Sequence, residues 1–147
     1  MEPNFHNGEY ILTIKILYKF TDPRRGDVVI FKSPRNKEID YIKRIIAVPG
    51  DTLLLRANTF YVNGQKLEEP YLAPDTYIFG GTFLRDGQEI TIPEGKYFVV
   101  GDNRAHSADS REFGPIPKTD FIGKALLRYW PFPDAGLINN PQYTTPG

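Results

Sequence analysis

The sequence contains no cysteine, and it has only three serines and two histidines among its 147 residues. Without cysteine, disulfide bonds, thiolate nucleophiles and thiol-ligated zinc are all unavailable. The formal net charge is zero, because 18 Lys and Arg residues balance 18 Asp and Glu residues. A chain without net charge has no overall positive field to attract nucleic acid, so we expect no nucleic-acid partner.

Long apolar runs are missing as well. The longest apolar stretch, residues 10–20, contains two lysines and is far shorter than the roughly 20 residues that span a bilayer. No secretory signal with a basic start and a continuous apolar run is visible. Helical periodicity is almost absent, whereas runs of β-forming residues bounded by Pro, Gly and Asn recur along the chain. We therefore expect a soluble, mostly β domain.

The β-forming runs give the expected order of elements. Asn63-Gly64 is typical of a type I′ turn, so residues 59–66 predict a hairpin. Residues 68–88 have no firm period and are interpreted as an irregular excursion. The first three strands are expected to lie side by side. Strands are predicted at 10–18, 27–31, 40–48, 89–92, 97–100 and 121–130.

The stretch YIKRIIAVPGD, residues 41–51, contains a lysine in apolar company. Side chains alternate along a strand, so Lys43 shares a face with Tyr41 and Ile45, whereas Arg44 points to the other face. One interpretation is a lysine at a sheet edge with its ammonium in water. The other is a desolvated lysine whose pKa is lowered until the neutral amine can act as a general base.

The stretch GDNRAHSADSR, residues 101–111, combines carboxylates, arginines and serines in a predicted loop. It is consistent with a cluster of polar groups that satisfy one another, or with the support that a catalytic base requires. A Ser-His-Asp triad of Ser110, His106 and Asp109 or Asp102 has the right residue types. Such close neighbours in sequence rarely converge on one point, which argues against that triad.

These two stretches, with RGDVVIF at 25–31 and MEPNF at 1–5, resemble the motifs of bacterial type I signal peptidases. These are Ser/Lys proteases that remove signal peptides from exported proteins. Residues 41–51 resemble the lysine box, and residues 1–5 are similar to the segment directly after the nucleophile in the Ser-Met-x-Pro box. The resemblance runs from residue 1 to about residue 132, in the family's order.

The resemblance implies specific roles. Lys43 matches the general base, and Ser107 matches a serine whose hydroxyl bonds that lysine, so we expect the two within hydrogen-bond distance. Four further residues match groups that hold the active-site loop together: Asp102, Arg104, Asp109 and Arg111. The walls of the two substrate pockets are matched by Met1, Phe5, Ile11, Ile30, Asp40, Tyr41 and Ile42. No metal or other cofactor is implied.

The chain departs from the family pattern at its start. The family's nucleophilic serine immediately precedes the residue matched by Met1, and none of the three serines present matches it. We therefore expect this chain to lack activity as it stands, through truncation or an internal start codon. The complete protein is expected to act on signal peptides of exported preproteins, and to be held in the cytoplasmic membrane by an N-terminal anchor with its catalytic domain on the extracytoplasmic side.

The resemblance also implies a fold, a core of antiparallel sheets with a small inserted β-hairpin subdomain. We expect one catalytic domain at 1–132 with the insertion at about 53–93, and a Pro-rich, loosely ordered tail at 133–147. One alternative is a self-cleaving repressor-type Ser/Lys peptidase. The other is a non-enzymatic β-barrel that stacks single-stranded nucleic acid on the aromatic rings of Phe60, Tyr61, Tyr77 and Phe79.

Overall fold

A computed structural model of the protein describes residues 10–14, 22–72, 76–130 and 136–137, with side chains described for 22–72 and 76–125. Short strands dominate this part of the chain, which confirms the mostly β prediction. Two short helical segments, Ser110–Phe113 and Lys118–Asp120, accompany them. The strands are Tyr10–Ile14 (β1), Val28–Lys32 (β2), Asp40–Ala47 (β3), Thr52–Arg56 (β4), Thr59–Val62 (β5), Gln65–Lys66 (β6), Glu89–Thr91 (β7), Lys96–Val100 (β8), Ile116–Pro117 (β9), Phe121–Trp130 (β10) and Gly136–Leu137 (β11).

The first sheet is antiparallel and has the strand order β1-β10-β2-β3-β8-β9, with β11 paired to β10. The expectation that the first three strands lie side by side is wrong at one place, because β10 lies between β1 and β2. β10 is ten residues long and pairs with a strand on each of its edges. A strand from the far end of the chain therefore completes the sheet, which order along the sequence does not predict.

The second sheet has the order β6-β5-β4-β7 and contains the predicted hairpin. Asn63 and Gly64 have φ angles of 52° and 80°, and a type I′ turn requires positive φ at both positions. The turn brings Val62 opposite Gln65. The strands of this sheet lie between residues 52 and 91. The predicted domain boundaries stay a prediction.

Strand β3 contributes to two apolar clusters, one on each of its faces. Ile45 packs with Val29, Phe31 and Val99 of the first sheet. Ile46 belongs to the other cluster, which joins both sheets and includes Leu53, Leu55, Phe60 and Val62. Burying one such side chain contributes about 1.5–3 kcal/mol. β3 is thus held from both faces, so the side chains that it carries are fixed in direction.

Two kinds of feature are absent from the described residues. No helix in them has the length and apolar composition to cross a membrane. They also contain no group of three or more His, Cys, Asp or Glu side chains placed to hold a metal ion.

Candidate active site

The pairing of β3 with β8 places the polar loop next to the lysine strand. Val100, the last residue of β8, lies opposite Arg44 of β3. The loop after it, residues 101–109, therefore begins beside Lys43 and Arg44. It ends at the short helix Ser110–Phe113, whose first turn is capped by the side chain of Asp109. Two motifs that are far apart in sequence thus meet at one end of the sheet.

The expected contact between Lys43 and Ser107 is present. The lysine Nζ donates a hydrogen bond to the serine Oγ at 2.9 Å. The ring of Tyr41, two residues earlier on the same face, has its centroid 5.3 Å from the same nitrogen. Among the described residues, no carboxylate lies within ion-pair distance of this amine. The amine is therefore held by a hydroxyl and flanked by an aromatic ring.

The surroundings favour the uncharged form of Lys43. Burial lowers the pKa of Lys43 from its usual value, because desolvation penalises the ammonium. The charges of Asp109 and Asp102 act in the opposite direction, and that of Arg111 adds to the lowering. The net direction is downward, so a larger fraction of the amine is neutral at a given pH than for an exposed lysine. Neutral amine is the form that can accept a proton.

Gly101 makes room for this pair. A Cβ added at this position would lie 2.1 Å from the Oγ of Ser107 and 3.4 Å from the Nζ of Lys43. The first of these distances is far inside van der Waals contact. The absence of a side chain at Gly101 is therefore a condition for the observed hydrogen bond. The sequence motif contains this glycine, but its spacing gave no sign of the role.

Asp109 and Arg111 connect the two ends of the loop by hydrogen bonds. The carboxylate of Asp109 accepts from the Nε and Nη2 of Arg111 at 2.9 and 2.8 Å and from the backbone N–H of Gly101 at 3.1 Å. Arg111 also donates to the carbonyl oxygens of Arg104 and Phe79 at 2.9 and 3.0 Å. The two ends of the loop are thus joined by buried, charge-assisted hydrogen bonds, which are the stronger kind.

Asp102 and Arg104 have partners outside the loop. Asp102 accepts two hydrogen bonds from Arg44, at 3.0 and 2.9 Å, and both side chains are almost completely buried. Arg104 pairs with Glu69, a residue that no sequence motif marked as functional. Partners 58 and 35 positions away in the sequence carry no local signal, so only the fold could reveal them.

The Ser-His-Asp triad is not formed. Ser110 is completely buried, and its Oγ accepts a hydrogen bond from the backbone N–H of Val99 at 2.9 Å. His106 is exposed on the loop. A buried serine with a structural hydrogen bond has no open side from which a substrate carbonyl could approach.

The predicted substrate-contacting residues divide between the two faces of the sheet. Tyr41 shares a face with Lys43 and packs edge-on against Phe31, with ring centroids 6.0 Å apart. Ile42 points to the opposite face, where it lies beside its cross-strand partner Ile30, and both are half-buried. Asp40 is exposed at the start of β3. Outside the described part lie Met1, Phe5 and the side chain of Ile11.

The first half of β3 has an unpaired edge among the described residues. The ladder between β3 and β8 ends at Arg44, and within the described residues no strand pairs with 40–43 on that edge. A peptide laid along this edge would direct alternate side chains to the two faces. Tyr41 on one face and the Ile30–Ile42 pair on the other would then each contact one set of its side chains.

Comparison with known proteins shows which class of protein has this fold and site. The family profile described as "Signal peptidase, peptidase S26" matches residues 1–130. The class is therefore a peptidase.

Individual relatives narrow this class. Signal peptidase IB of Staphylococcus aureus strain MRSA252 is 40% identical over 155 residues, covering 98% of this chain and 80% of that protein. The probable signal peptidase I-2 of Synechocystis is 36% identical, covering 95% of this chain and 63% of that protein. A crystal structure of a signal peptidase I from Enterococcus faecalis matches with a TM-score of 0.57 and 34% identity, covering 71% of this chain and 97% of that one. The chain belongs to the bacterial type I signal peptidase family, whose reaction is the cleavage of signal peptides.

Proposed function

We propose that Lys43 is the general base of a Ser/Lys dyad that hydrolyses the peptide bond at the end of a signal peptide. The observation that carries this proposal is the hydrogen bond between the Nζ of Lys43 and the Oγ of Ser107 at 2.9 Å. It supports an amine whose direction is fixed by a neighbouring hydroxyl, and burial lowers the pKa of this amine toward the neutral form. Such placement is what general-base catalysis requires, and it contributes typically about 10²–10⁴-fold to rate.

The nucleophile of the proposed dyad is a serine directly before the position of Met1, as the family's Ser-Met-x-Pro box implies. Its hydroxyl gives a proton to neutral Lys43 as its oxygen attacks the scissile carbonyl, and an acyl-enzyme forms. Lys43 then returns the proton to the leaving amine. In the second half of the reaction Lys43 takes a proton from water as the water oxygen attacks the acyl carbonyl. The bond between the acyl group and the serine oxygen then breaks, and Lys43 returns the proton to that oxygen, which restores the serine hydroxyl and the neutral amine.

Ser107 is proposed as an orienting group and not as the nucleophile. Its hydroxyl accepts from Lys43, and the side chain is packed against the backbone of Gly101, so closely that a methyl group there would collide with it. The direction of this oxygen is fixed by its contact with Gly101 and by its hydrogen bond with Lys43. Fixed direction is useful for a base, because misplacement by about 1 Å can cost about 100-fold in rate.

The substrate is proposed to bind as an added strand along residues 40–43 of β3. Backbone hydrogen bonds then supply affinity without reading sequence, and the side chains of alternate positions enter pockets on the two faces. Tyr41, Ile42 and Ile30 border these pockets, and their bulk favours small or aliphatic substrate residues. Met1, Phe5, Ile11 and Asp40 are proposed to complete the walls.

The proposed setting is the extracytoplasmic face of the cytoplasmic membrane. The resemblance implies an N-terminal anchor in the complete protein, and the substrates would be signal peptides of exported preproteins. The proposed reaction uses no cofactor and no nucleic acid.

The proposal is tested with the protein carrying the serine directly before Met1, assayed on a peptide that contains a signal-peptide cleavage site. Lys43→Ala should lower kcat/KM by about 10²–10⁴-fold, because the general base is lost. Lys32→Ala is the matched control, since Lys32 is exposed on the neighbouring strand β2, and it should leave cleavage unchanged. Ser107→Ala should lower kcat with a smaller change in KM. Equal activity of the Lys43→Ala and Lys32→Ala proteins would refute the dyad.

The structure bears on the nucleic-acid alternative, whose rings Tyr77 and Phe79 are exposed. Phe60 is completely buried in the cluster between the sheets, so it cannot stack on a nucleotide base, and that part of the nucleic-acid hypothesis is wrong. The repressor-type peptidase would use the same lysine chemistry on its own chain. Incubation of the active protein without a peptide substrate distinguishes them, because self-cleavage would shorten the active chain and leave a Lys43→Ala chain intact, whereas a signal peptidase would leave both chains intact.

A further inference from the structure

The segment that follows β6 of the second sheet, here called its exit segment (residues 67–72), contacts the candidate active-site loop. Glu69 lies three residues after β6, and its two carboxylate oxygens accept from the two terminal nitrogens of Arg104, with Nη1 to Oε1 at 3.1 Å. The hydroxyl of Tyr71 donates to the Oε2 of Glu69 at 2.7 Å. The side chains of Arg104 and Glu69 are both almost completely buried. A residue of the second sheet's exit segment is thus the carboxylate partner of a loop arginine.

Arg104 is also hydrogen-bonded to the backbone of the loop. Its Nε donates to the carbonyl oxygen of Gly101 at 2.8 Å, and its guanidinium lies over the ring of Phe60, 5.5 Å from the centroid. Burial alone would disfavour the charge of Arg104, but the ion pair with Glu69 outweighs it and the net pKa of Arg104 is raised. The guanidinium therefore stays charged, and its place depends on the carboxylate beside it.

Gly101 is in turn the backbone against which the Lys43–Ser107 pair packs. A Cβ at Gly101 would overlap the serine hydroxyl at 2.1 Å and contact the lysine Nζ at 3.4 Å. No spare space separates this backbone from the serine hydroxyl, and the lysine Nζ lies at van der Waals distance from the same point. A shift of Gly101 would consequently move Ser107 or open a path for water to Lys43.

We propose that Glu69, with the hydroxyl of Tyr71, is a positioning residue for the Lys43–Ser107 pair and acts through Arg104 and Gly101. The inference rests on the proposed role of Lys43 as the general base. It assigns to the second sheet a part in the reaction, since the exit segment of that sheet holds the loop in place. Removing the carboxylate charge leaves the buried Arg104 without that ion pair, and breaking such a pair is strongly destabilising to its surroundings.

The deciding experiment measures the pKa of Lys43 directly in the 147-residue chain. The side-chain methylene signals of the lysines are followed by NMR as pH is raised, and the signal of Lys43 is assigned by its loss in Lys43→Met. Glu69→Gln keeps the shape of the side chain and removes its charge. Glu68→Gln is the matched control, because Glu68 is the neighbouring carboxylate and is exposed.

The expected result is a Lys43 pKa that rises in Glu69→Gln by about half a unit or more, since water reaching the amine reduces the desolvation that lowers the pKa. The value in Glu68→Gln should equal that of the unchanged chain. The charged groups that act on Lys43 are Asp109, Arg111 and Asp102, and none of them is altered by either substitution. A Lys43 pKa that is unchanged or lower in Glu69→Gln would overturn the proposal.

A milder variant keeps the test decisive if Glu69→Gln folds poorly. Tyr71→Phe removes only the hydroxyl that donates to Glu69, and it should move the Lys43 pKa in the same direction by a smaller amount. In the cleavage assay, Glu69→Gln should lower kcat by about tenfold or more with KM within about threefold. Activity retained by Lys43→Ala would refute the dyad itself, whereas activity and pKa both unchanged in Glu69→Gln would refute only the positioning role.

Discussion

Lys43 and Arg44 are neighbours on one strand, yet their surroundings differ in one respect that decides their chemistry. Two nitrogens of the Arg44 guanidinium donate hydrogen bonds to the carboxylate of Asp102, and a third donates to the carbonyl oxygen of Gly26. The guanidinium also lies 3.9 Å from the ring centroid of Tyr71. For Lys43, the described residues provide a hydroxyl and a ring but no carboxylate in contact. A buried cation with a carboxylate stays charged, and a buried amine without one is pushed toward its neutral form.

The same loop produces both outcomes. Asp102 and Ser107 are five positions apart, and they reach the two faces of β3 from one segment. The loop thus places a carboxylate in contact with Arg44 but only a hydroxyl in contact with Lys43. This difference explains how a single short motif can serve both structure and chemistry, and substitutions can alter either side of it separately.

Asp102→Asn should have the largest effect, because it removes the negative charge from the buried pair with Arg44. Loss of one partner of such a pair costs about 3–5 kcal/mol. Urea unfolding of the chain measures the free energy of unfolding directly. Asp120→Asn is the control, since Asp120 pairs with Lys37 at 3.0 Å in a partly exposed position, and surface pairs contribute about 0–1 kcal/mol. Equal losses in the two variants would contradict the importance of burial at Arg44.

Gly101→Ala should displace the Lys43–Ser107 pair and leave the Arg44–Asp102 pair in place. The added methyl group overlaps the hydroxyl of Ser107, and displacement of the pair should lower kcat by about 100-fold. Steady-state kinetics of signal-peptide cleavage gives this number, and the overpacking itself costs about 1–3 kcal/mol of stability.

A remote glycine with a positive φ provides the control for that change. Gly64 has a φ of 80° and no atom within 4 Å of an added Cβ, so Gly64→Ala should cost about 1 kcal/mol through backbone strain. It should not change kcat. If Gly64→Ala and Gly101→Ala lowered kcat equally, the effect would be one of general stability.

The local parts of this architecture were predictable from the sequence. The hairpin at 59–66 follows from the turn chemistry of Asn63-Gly64, and the strand at β3 follows from its β-forming residues and the Pro49-Gly50 stop. The anomaly of Lys43 in an apolar strand was visible for the same reason, since alternation alone assigns its face. The contact with Ser107 was expected from the family resemblance, and the observed 2.9 Å agrees with it.

The long-range parts were not predictable. β10 enters the sheet between β1 and β2, because pairing depends on the edges that the folded chain offers and not on order. Glu69 and Arg44 look like ordinary charged residues in the sequence, and only the fold brings them to Arg104 and Asp102. Gly101 carries no side chain, so its role appears only when its neighbours are in place.

Lys43→Met should have a small effect on stability, of the opposite sign to that of the other substitutions. The folded state lowers the pKa of Lys43, so the unfolded chain binds more protons between that lowered pKa and 10.5, and stability rises with pH across this window. Below the window the penalty is constant and largest. An apolar side chain of similar length should therefore stabilise the protein at neutral pH by about 0.5–2 kcal/mol, with the gain disappearing toward pH 10.5.

Thermal unfolding at several pH values measures this gain. Lys32→Met on the exposed side of β2 should change the free energy of unfolding by less than about 0.5 kcal/mol at every pH. If the Lys43→Met protein were less stable than the unchanged chain at neutral pH, the prediction would be wrong. The hydrogen bond of Lys43 would then stabilise the folded state by more than the burial of its charge destabilises it.

The most direct test of the central claim is the pKa of Lys43 in the unaltered chain, measured by NMR. The surroundings of Lys43 predict a value below the ordinary lysine value of 10.5, because burial penalises the ammonium. They also predict that kcat/KM for signal-peptide cleavage rises with pH through the same value, because only the neutral amine accepts the proton. A Lys43 pKa at or above 10.5 would contradict the account, since the amine would then be a solvated cation at the pH where the enzyme must work.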